Sequence, residues 1–179
     1  MSSGAGSVDL VVRSYALELA TVLPPLLRSV ELFWPEEWGV VVVLDAESAT
    51  DRLLGSQLPS YVRVAYEEKP KGFGKWFTPV FSTSYLRAVY SFFTLDRYTR
   101  AEFVALVDAD MVLSSAAQHR ILFEQRGTEL MPIVHGSHTL PVFVHCVKAL
   151  LMEWVAEFMD SVPFVFRTRD LASIRAFVR

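Results

Sequence analysis

The 179-residue sequence has a single cysteine, Cys146. One thiol excludes an intramolecular disulfide and any CxxC metal site. No apolar run approaches the ~18 to 20 residues that crossing a bilayer requires. The opening MSSGAGSVDL also lacks the basic and apolar regions of a signal peptide. The expected placement is therefore cytosolic or simply unanchored. Charge of one sign is missing too: 17 basic and 20 acidic residues give a net charge of −3 with no block of either, which leaves no footprint for nucleic acid. Neither an internal repeat nor a low-complexity tract occurs.

What is present is a core. The composition is 52% hydrophobic and 13% aromatic, too apolar for a disordered chain and long enough to bury a sizeable interior. A single domain over residues 1–179 is expected. The chain stops at SIRAFVR without a clear terminus, so an expectation of C-terminal incompleteness goes with it.

Strand-like and helix-like segments alternate, the pattern of an α/β sandwich with a central, mostly parallel sheet. VDLVV (8–12) is a short β-branched run, followed by the polar turn RSY. Apolar residues from Leu19 to Phe33 fall at helical spacing, and Pro24 and Pro25 predict that the main helix starts there, where a missing N–H costs nothing. GVVVVL (39–44) reads as a strand buried on both faces and ends at Asp45. YVRVAYEE (61–68) is a third strand of more alternating character. After the loop KPKGFGKW, helical spacing resumes from Tyr85 to Asp96, and FVALV (103–107) is a fourth strand. GVVVVL and FVALV are the expected centre of the sheet. Beyond them, MPIVHG and PVFVH read as short strands, and the apolar spacing from Val147 to Phe158 as a closing helix.

The fourth strand ends in Asp108 and Asp110, one residue apart. A carboxylate at the end of an apolar strand must be solvated, hydrogen-bonded or bound to a cation. Parallel sheets gather ligand sites at the carboxyl ends of their strands, and two hard oxygen ligands there suit Mg²⁺ or Mn²⁺, which retain waters and share substrate phosphates. The plainer alternative makes Asp108 a turn cap and Asp110 a solvated loop residue.

The order of these elements, and above all YLRAVYSFFTLDRYTRAEFVALVDADMVL (85–113), resembles the GT-A glycosyltransferases that use nucleotide-diphosphate sugars. The similarity covers roughly residues 8 to 145. It implies that Asp108 and Asp110 match the DxD pair, with Asp110 the direct ligand of Mn²⁺ or Mg²⁺ and Asp108 also near the ribose. It further implies that Arg13, Ser14 and Tyr15 line the nucleotide pocket, Tyr15 by stacking on the base. Asp45 would accept hydrogen bonds from base or ribose, and Arg87 would reach the donor diphosphate or sugar. Arg87 and Ser91, four apart, share one helical face. The implied activity is sugar transfer from a nucleotide-diphosphate donor to a glycan, protein or small-molecule acceptor.

Each of these residues also has a plainer part to play: Arg13 pairing with a surface carboxylate, Tyr15 as a half-buried ring, Asp45 as a helix N-cap, Arg87 as a structural cation for Asp96 or Glu102. The chain also departs from the family pattern. Many metal-dependent members supply a third ligand from a later segment, and the candidates for it here are His135, His138 and His145. No carboxylate after Asp110 (Glu124, Glu129, Glu153, Glu157, Asp160, Asp170) sits in a recognisable setting for a catalytic base. A non-catalytic module that binds a nucleotide sugar or a partner is therefore the alternative. VDADMV also fits the strand-end motif of haloacid-dehalogenase phosphatases, but the lysine and acidic pair needed later reduce here to Lys148 and two aspartates ten residues apart. A nucleotidyltransferase would carry a glycine-rich phosphate loop after the first strand, and VVRSYALE has no glycine. KPKGFGKW lacks the phosphate-loop spacing and reads as a solvated loop, with Lys71, Lys75 and Trp76 the residues able to approach a ligand.

Overall fold

A computed structural model describes residues 6–72, 83–133 and 163–177. The elements run β1 (Val8–Arg13), α1 (Ala16–Thr21), α2 (Leu23–Phe33), β2 (Gly39–Asp45), α3 (Ala49–Gly55), β3 (Val62–Glu67) and α4 (Thr83–Phe92). A 3₁₀ turn (Leu95–Arg97), β4 (Phe103–Asp108), α5 (His119–Leu122), β5 (Phe123–Arg126), β6 (Glu129–Pro132), β7 (Phe164–Arg167) and α6 (Asp170–Phe177) follow. One five-stranded sheet has the order β3-β2-β1-β4-β7. β1 to β4 are mutually parallel, and β7 joins antiparallel to β4.

The unbroken apolar runs are unbroken because both faces of the sheet are covered. On one face Val8, Leu10, Val12, Val40, Val42, Leu44, Phe103 and Ala105 pack under Leu23, Leu26, Leu27 and Val30 of α2. On the other, Val11, Val41, Val43, Val104 and Leu106 meet Leu95, Leu171 and the α4 residue Phe92. The result is the expected three-layer sandwich. Each fully buried Val or Leu contributes on the order of 1.5–3 kcal/mol relative to exposure, so the two packed faces dominate the stability.

The centre of the sheet differs from the sequence expectation. GVVVVL and FVALV do not pair with each other; β1 lies between them. The main helix starts at the prolines, as their position predicts. α1 ends at Thr21 and α2 opens at Leu23 with its prolines in the first turn, because a proline ring clashes with a preceding turn but not with an open helix end. The hairpin β5–β6, turned by Gly127 at φ +61°, overlaps the expected MPIVHG strand only at Met131 and Pro132. β7 and α6 were not anticipated. PVFVH, the helix expected over 147–158, Cys146, His135, His138 and His145 lie outside the described residues. Among those described, no helix is long and apolar enough to cross a membrane.

Candidate functional site

The strand order 3-2-1-4 reverses direction between β1 and β4. Diverging loops at such a switch point open a crevice outside the strand carboxyl ends, where open α/β sheets bind ligands. In this chain each of the four parallel strands ends in a charged residue: Arg13, Asp45, Glu67 and Asp108. Arg13 and Asp108 are direct register partners across the reversal.

A buried aspartate holds the turns that leave β1 and β2. Asp51, in the first turn of α3, accepts from Ala16 N at 2.9 Å through one oxygen and from Asp45 N at 3.0 Å through the other. Ser48, the N-cap of α3, accepts from Asp51 N at 3.1 Å, the usual way a helix start satisfies its free amide. The segment after β1 and the end of β2 are thus fixed to the same carboxylate.

The first cluster contains two guanidiniums and three carboxylates. Arg13 pairs with Asp45 and donates through Nε to Ser91 Oγ at 3.1 Å and through Nη1 to Val43 O at 3.1 Å. Arg87 Nη2 lies 3.2 Å from Asp45 Oδ1 and 3.3 Å from Glu47 Oε2, and donates to Glu67 O at 2.7 Å. Glu67 is buried. Ser91 Oγ donates to its Oε2 at 2.6 Å, while Tyr98 OH at 2.7 Å and Thr94 Oγ1 at 3.2 Å donate to its Oε1. Burial, followed by the hydrogen bond to Glu67, pushes the Tyr98 hydroxyl well above the ordinary range, so it remains a donor. Burial acts to raise the Glu47 carboxyl, but hydrogen bonds, including the one from Lys69 N–H, and Arg87 outweigh it and hold the group low.

The second cluster is acidic. Asp108 and Asp110 are solvent-exposed, with Ala109 buried between them. Partial desolvation and the charge of Asp110 push the Asp108 carboxyl up. Glu18 on α1 feels both aspartates: burial raises its carboxyl, the Ser14 hydroxyl and Arg13 oppose that, and Asp110 and Asp108 reinforce it. Ser14, itself buried, donates to Glu18 Oε2 at 3.1 Å.

No family model and no curated protein matches the chain. Solved structures do. It superposes on the bifunctional glycosyltransferase WbbM with a TM-score of 0.51, over 99% of this chain and 34% of that one at 14% identity. The chain has the GT-A glycosyltransferase fold. S. aureus TarS 1-349 gives a TM-score of 0.49 over 94% of this chain and 49% of that one at 14% identity. The galactosyltransferase LgtC, solved with donor and acceptor sugar analogues, gives 0.45 over 60% and 40% at 20% identity. The chain thus spans about a third of WbbM and less than half of the other two.

Within this GT-A sheet, Arg13, Ser14, Asp45, Arg87 and Asp108 share one edge, and Tyr15, 40% exposed as a residue, stands at the N-cap of α1 there. Arg87 pairs with Asp45, Glu47 and Glu67 rather than with Asp96 or Glu102; Asp96 is taken by Arg175. The cap of α3 is Ser48, not Asp45. Of the loop KPKGFGKW, Gly72 stands at φ +78°, and Lys75 and Trp76 fall outside the described residues. Sequence reasoning missed Glu67, Glu18 and Asp51. For Glu67 a signal existed: it is the second of three strand-terminal carboxylates, after Asp45 and before Asp108.

Proposed function

We propose that this chain, over residues 1–179 as one GT-A domain, binds a nucleotide-diphosphate sugar and transfers its sugar to an acceptor. The observation that carries the reading is the register of Arg13 beside Asp108 at the β1–β4 reversal, with Arg87 and Asp45 on the same edge. That is where the topology demands a ligand crevice, and the groups gathered there suit a nucleoside diphosphate. The exposed Tyr15 offers a ring face for a base. Asp45 offers an acceptor to base or ribose. Arg13 and Arg87 offer guanidinium forks, the geometry best matched to phosphate oxygens.

Asp108 and Asp110 suit Mn²⁺ or Mg²⁺. They are close enough for one charge to raise the other's pKa, and both are hard oxygen donors open to solvent. Among the described residues no group of three or more His, Cys, Asp or Glu side chains is arranged for a metal. Among the described residues the protein's share would be these two carboxylates, with water and substrate phosphate able to join the shell as such ions prefer. When bound, the ion supplies positive charge for the departing diphosphate. Asp110 would be the direct ligand and Asp108 would also approach the ribose.

The test is a thermal-shift panel of uridine and guanosine diphosphate sugars with and without Mn²⁺. A ligand that binds only the native state raises Tm by mass action. One sugar nucleotide should raise Tm in Mn²⁺ and do little in its absence, and Asp110→Ala should abolish the difference. A panel with no metal-dependent shift for the parent would overturn the reading. Donor hydrolysis or transfer in Mn²⁺ separates an enzyme from a module that only binds.

A further inference from the structure

We propose that Glu67 is a positioning residue that presents Arg13 and Arg87 together to a diphosphate, while Glu47 is an exchangeable anion that the diphosphate displaces. The inference rests on the nucleotide-diphosphate reading above and assigns roles to two carboxylates outside that reading.

Three carboxylates share the two guanidiniums, and their side chains differ sharply in exposure: 1% for Glu67, 30% for Asp45 and 48% for Glu47. Glu67 holds three hydroxyl donors and lies 3.5 Å from Arg87 Nε and 3.9 Å from Arg13 Nε. A carboxylate removed from water and so surrounded cannot leave without stranding its donors. Its effect is on the geometry of the groups that it holds. Ser91 closes the circuit: its hydroxyl accepts from Arg13 Nε and donates to Glu67, while Arg87, one helical turn earlier, reaches Glu67 through both its side chain and the strand carbonyl. Both guanidiniums are therefore aligned by one acid.

Glu47 is the opposite case. It sits after β2, half in water, and bridges Lys69 N and Arg87 Nη2. The Nη2 contact to Glu47 is a long 3.3 Å, against 2.7 Å from the same nitrogen to Glu67 O, so Glu47 is the more weakly held of the two partners. A diphosphate, with more acceptor oxygens and more charge than one carboxylate, is the chemistry that would replace Glu47 there.

The two roles predict opposite signs. Removing a negative charge beside an anion site ordinarily tightens anion binding through Coulomb's law. Glu47→Gln should follow that rule and tighten inorganic pyrophosphate, measured calorimetrically in Mn²⁺, by about threefold or more. Glu67→Gln should break it and weaken pyrophosphate by about tenfold, the worth of one charge-assisted hydrogen bond. Glu67→Asp, which keeps the charge, should recover part of the loss. Affinity is taken per folded molecule, with far-ultraviolet circular dichroism giving that fraction. If Glu67→Gln does not fold, Tyr98→Phe, which removes one donor to Glu67, should weaken pyrophosphate in the same direction.

Glu67→Gln or Tyr98→Phe binding pyrophosphate as well as the parent, or more tightly, overturns the positioning role. Glu47→Gln binding no more tightly overturns the exchange role. A parent that binds pyrophosphate but no uridine or guanosine diphosphate overturns the nucleotide reading, while the signs of the variants still decide this one. A parent that binds none of them overturns both.

Discussion

The two ends of the parallel sheet solve the same problem differently. At the amino end, the buried Asp9 receives Thr99 Oγ1 and is paired with Arg63, whose side chain is half exposed. A Cβ on Gly39 would stand 2.0 Å from Asp9 Oδ1, so the pocket around the carboxylate is closed and only glycine fits the start of β2. At the carboxyl end, Arg13 and Arg87 face Asp45, Glu47 and Glu67, with Glu18, Asp108 and Asp110 nearby. Acids outnumber arginines there, and several reach solvent. The amino end is a matched polar joint. The carboxyl end carries an excess of acid that the proposed cation would offset, the kind of imbalance that marks a candidate functional site.

That contrast is broken most directly by exchanging the outcomes of mutation at the two ends. Asp110→Ala should lower Mn²⁺-dependent binding of a sugar nucleotide by about a hundredfold or more, with Tm nearly unchanged, because an exposed strand-end carboxylate adds little to the core. Asp110→Asn should do nearly the same damage, since the amide keeps the size and loses the charge. Titration in Mn²⁺ measures both, and parent-like affinity in either would make the aspartates an ordinary loop pair.

At the other end, Asp9→Ala should cost about 2 kcal/mol of stability and leave sugar-nucleotide affinity of the folded protein unchanged. Arg63 can turn to water, which keeps the figure below that for stranding a fully buried partner. Urea unfolding gives the first quantity and calorimetry the second; a binding defect with unchanged stability would reverse the assignment of the two ends.

Ser48→Ala should cost about 1 kcal/mol by uncapping α3, a midpoint shift readable in the same urea experiment. A parent-like midpoint would mean that Asp51 holds the turns without its cap.

The smallest effect concerns pH. Asp108 and Glu18 bind protons more tightly in the folded state than their ordinary values. Their contribution to stability is therefore fully present below the ordinary carboxylate range and is lost as pH rises through the raised values. Metal-free Asp110→Asn removes one charge acting on both groups. It should flatten that loss and raise Tm at neutral pH by about one degree. A Tm equal to or below the parent's from acid to neutral pH would show that the two aspartates do not repel in solution.

The sequence disclosed the four parallel strands closely because burial on both faces leaves a run of apolar residues that no surface segment tolerates. It also disclosed the edge at which Asp45 and Asp108 gather, since a charged residue closing an apolar strand marks the carboxyl end, whereas Arg13 and Arg87 were expected there from the family resemblance. The four-residue step from Arg87 to Ser91 placed both on one helical face, and the face proved to be the one turned to Glu67. Glu67 itself was passed over because YVRVAYEE alternates like a half-exposed strand, and alternation does not tell a buried acid from a solvated one.

Local pattern alone determined the four parallel strands, the main helix α2 and where each of those strands turns polar, because those properties depend on periods of two and 3.6 residues within one segment. Tertiary structure alone decided that β1 lies between β2 and β4, that β7 adds antiparallel, and that Asp51 fastens two distant turns. Pairing is chosen by whole faces that must be covered, which no single segment records. It also decided which of three acids is sealed in: Glu67 becomes buried only when Ser91, Thr94 and Tyr98 from a later segment close over the end of β3.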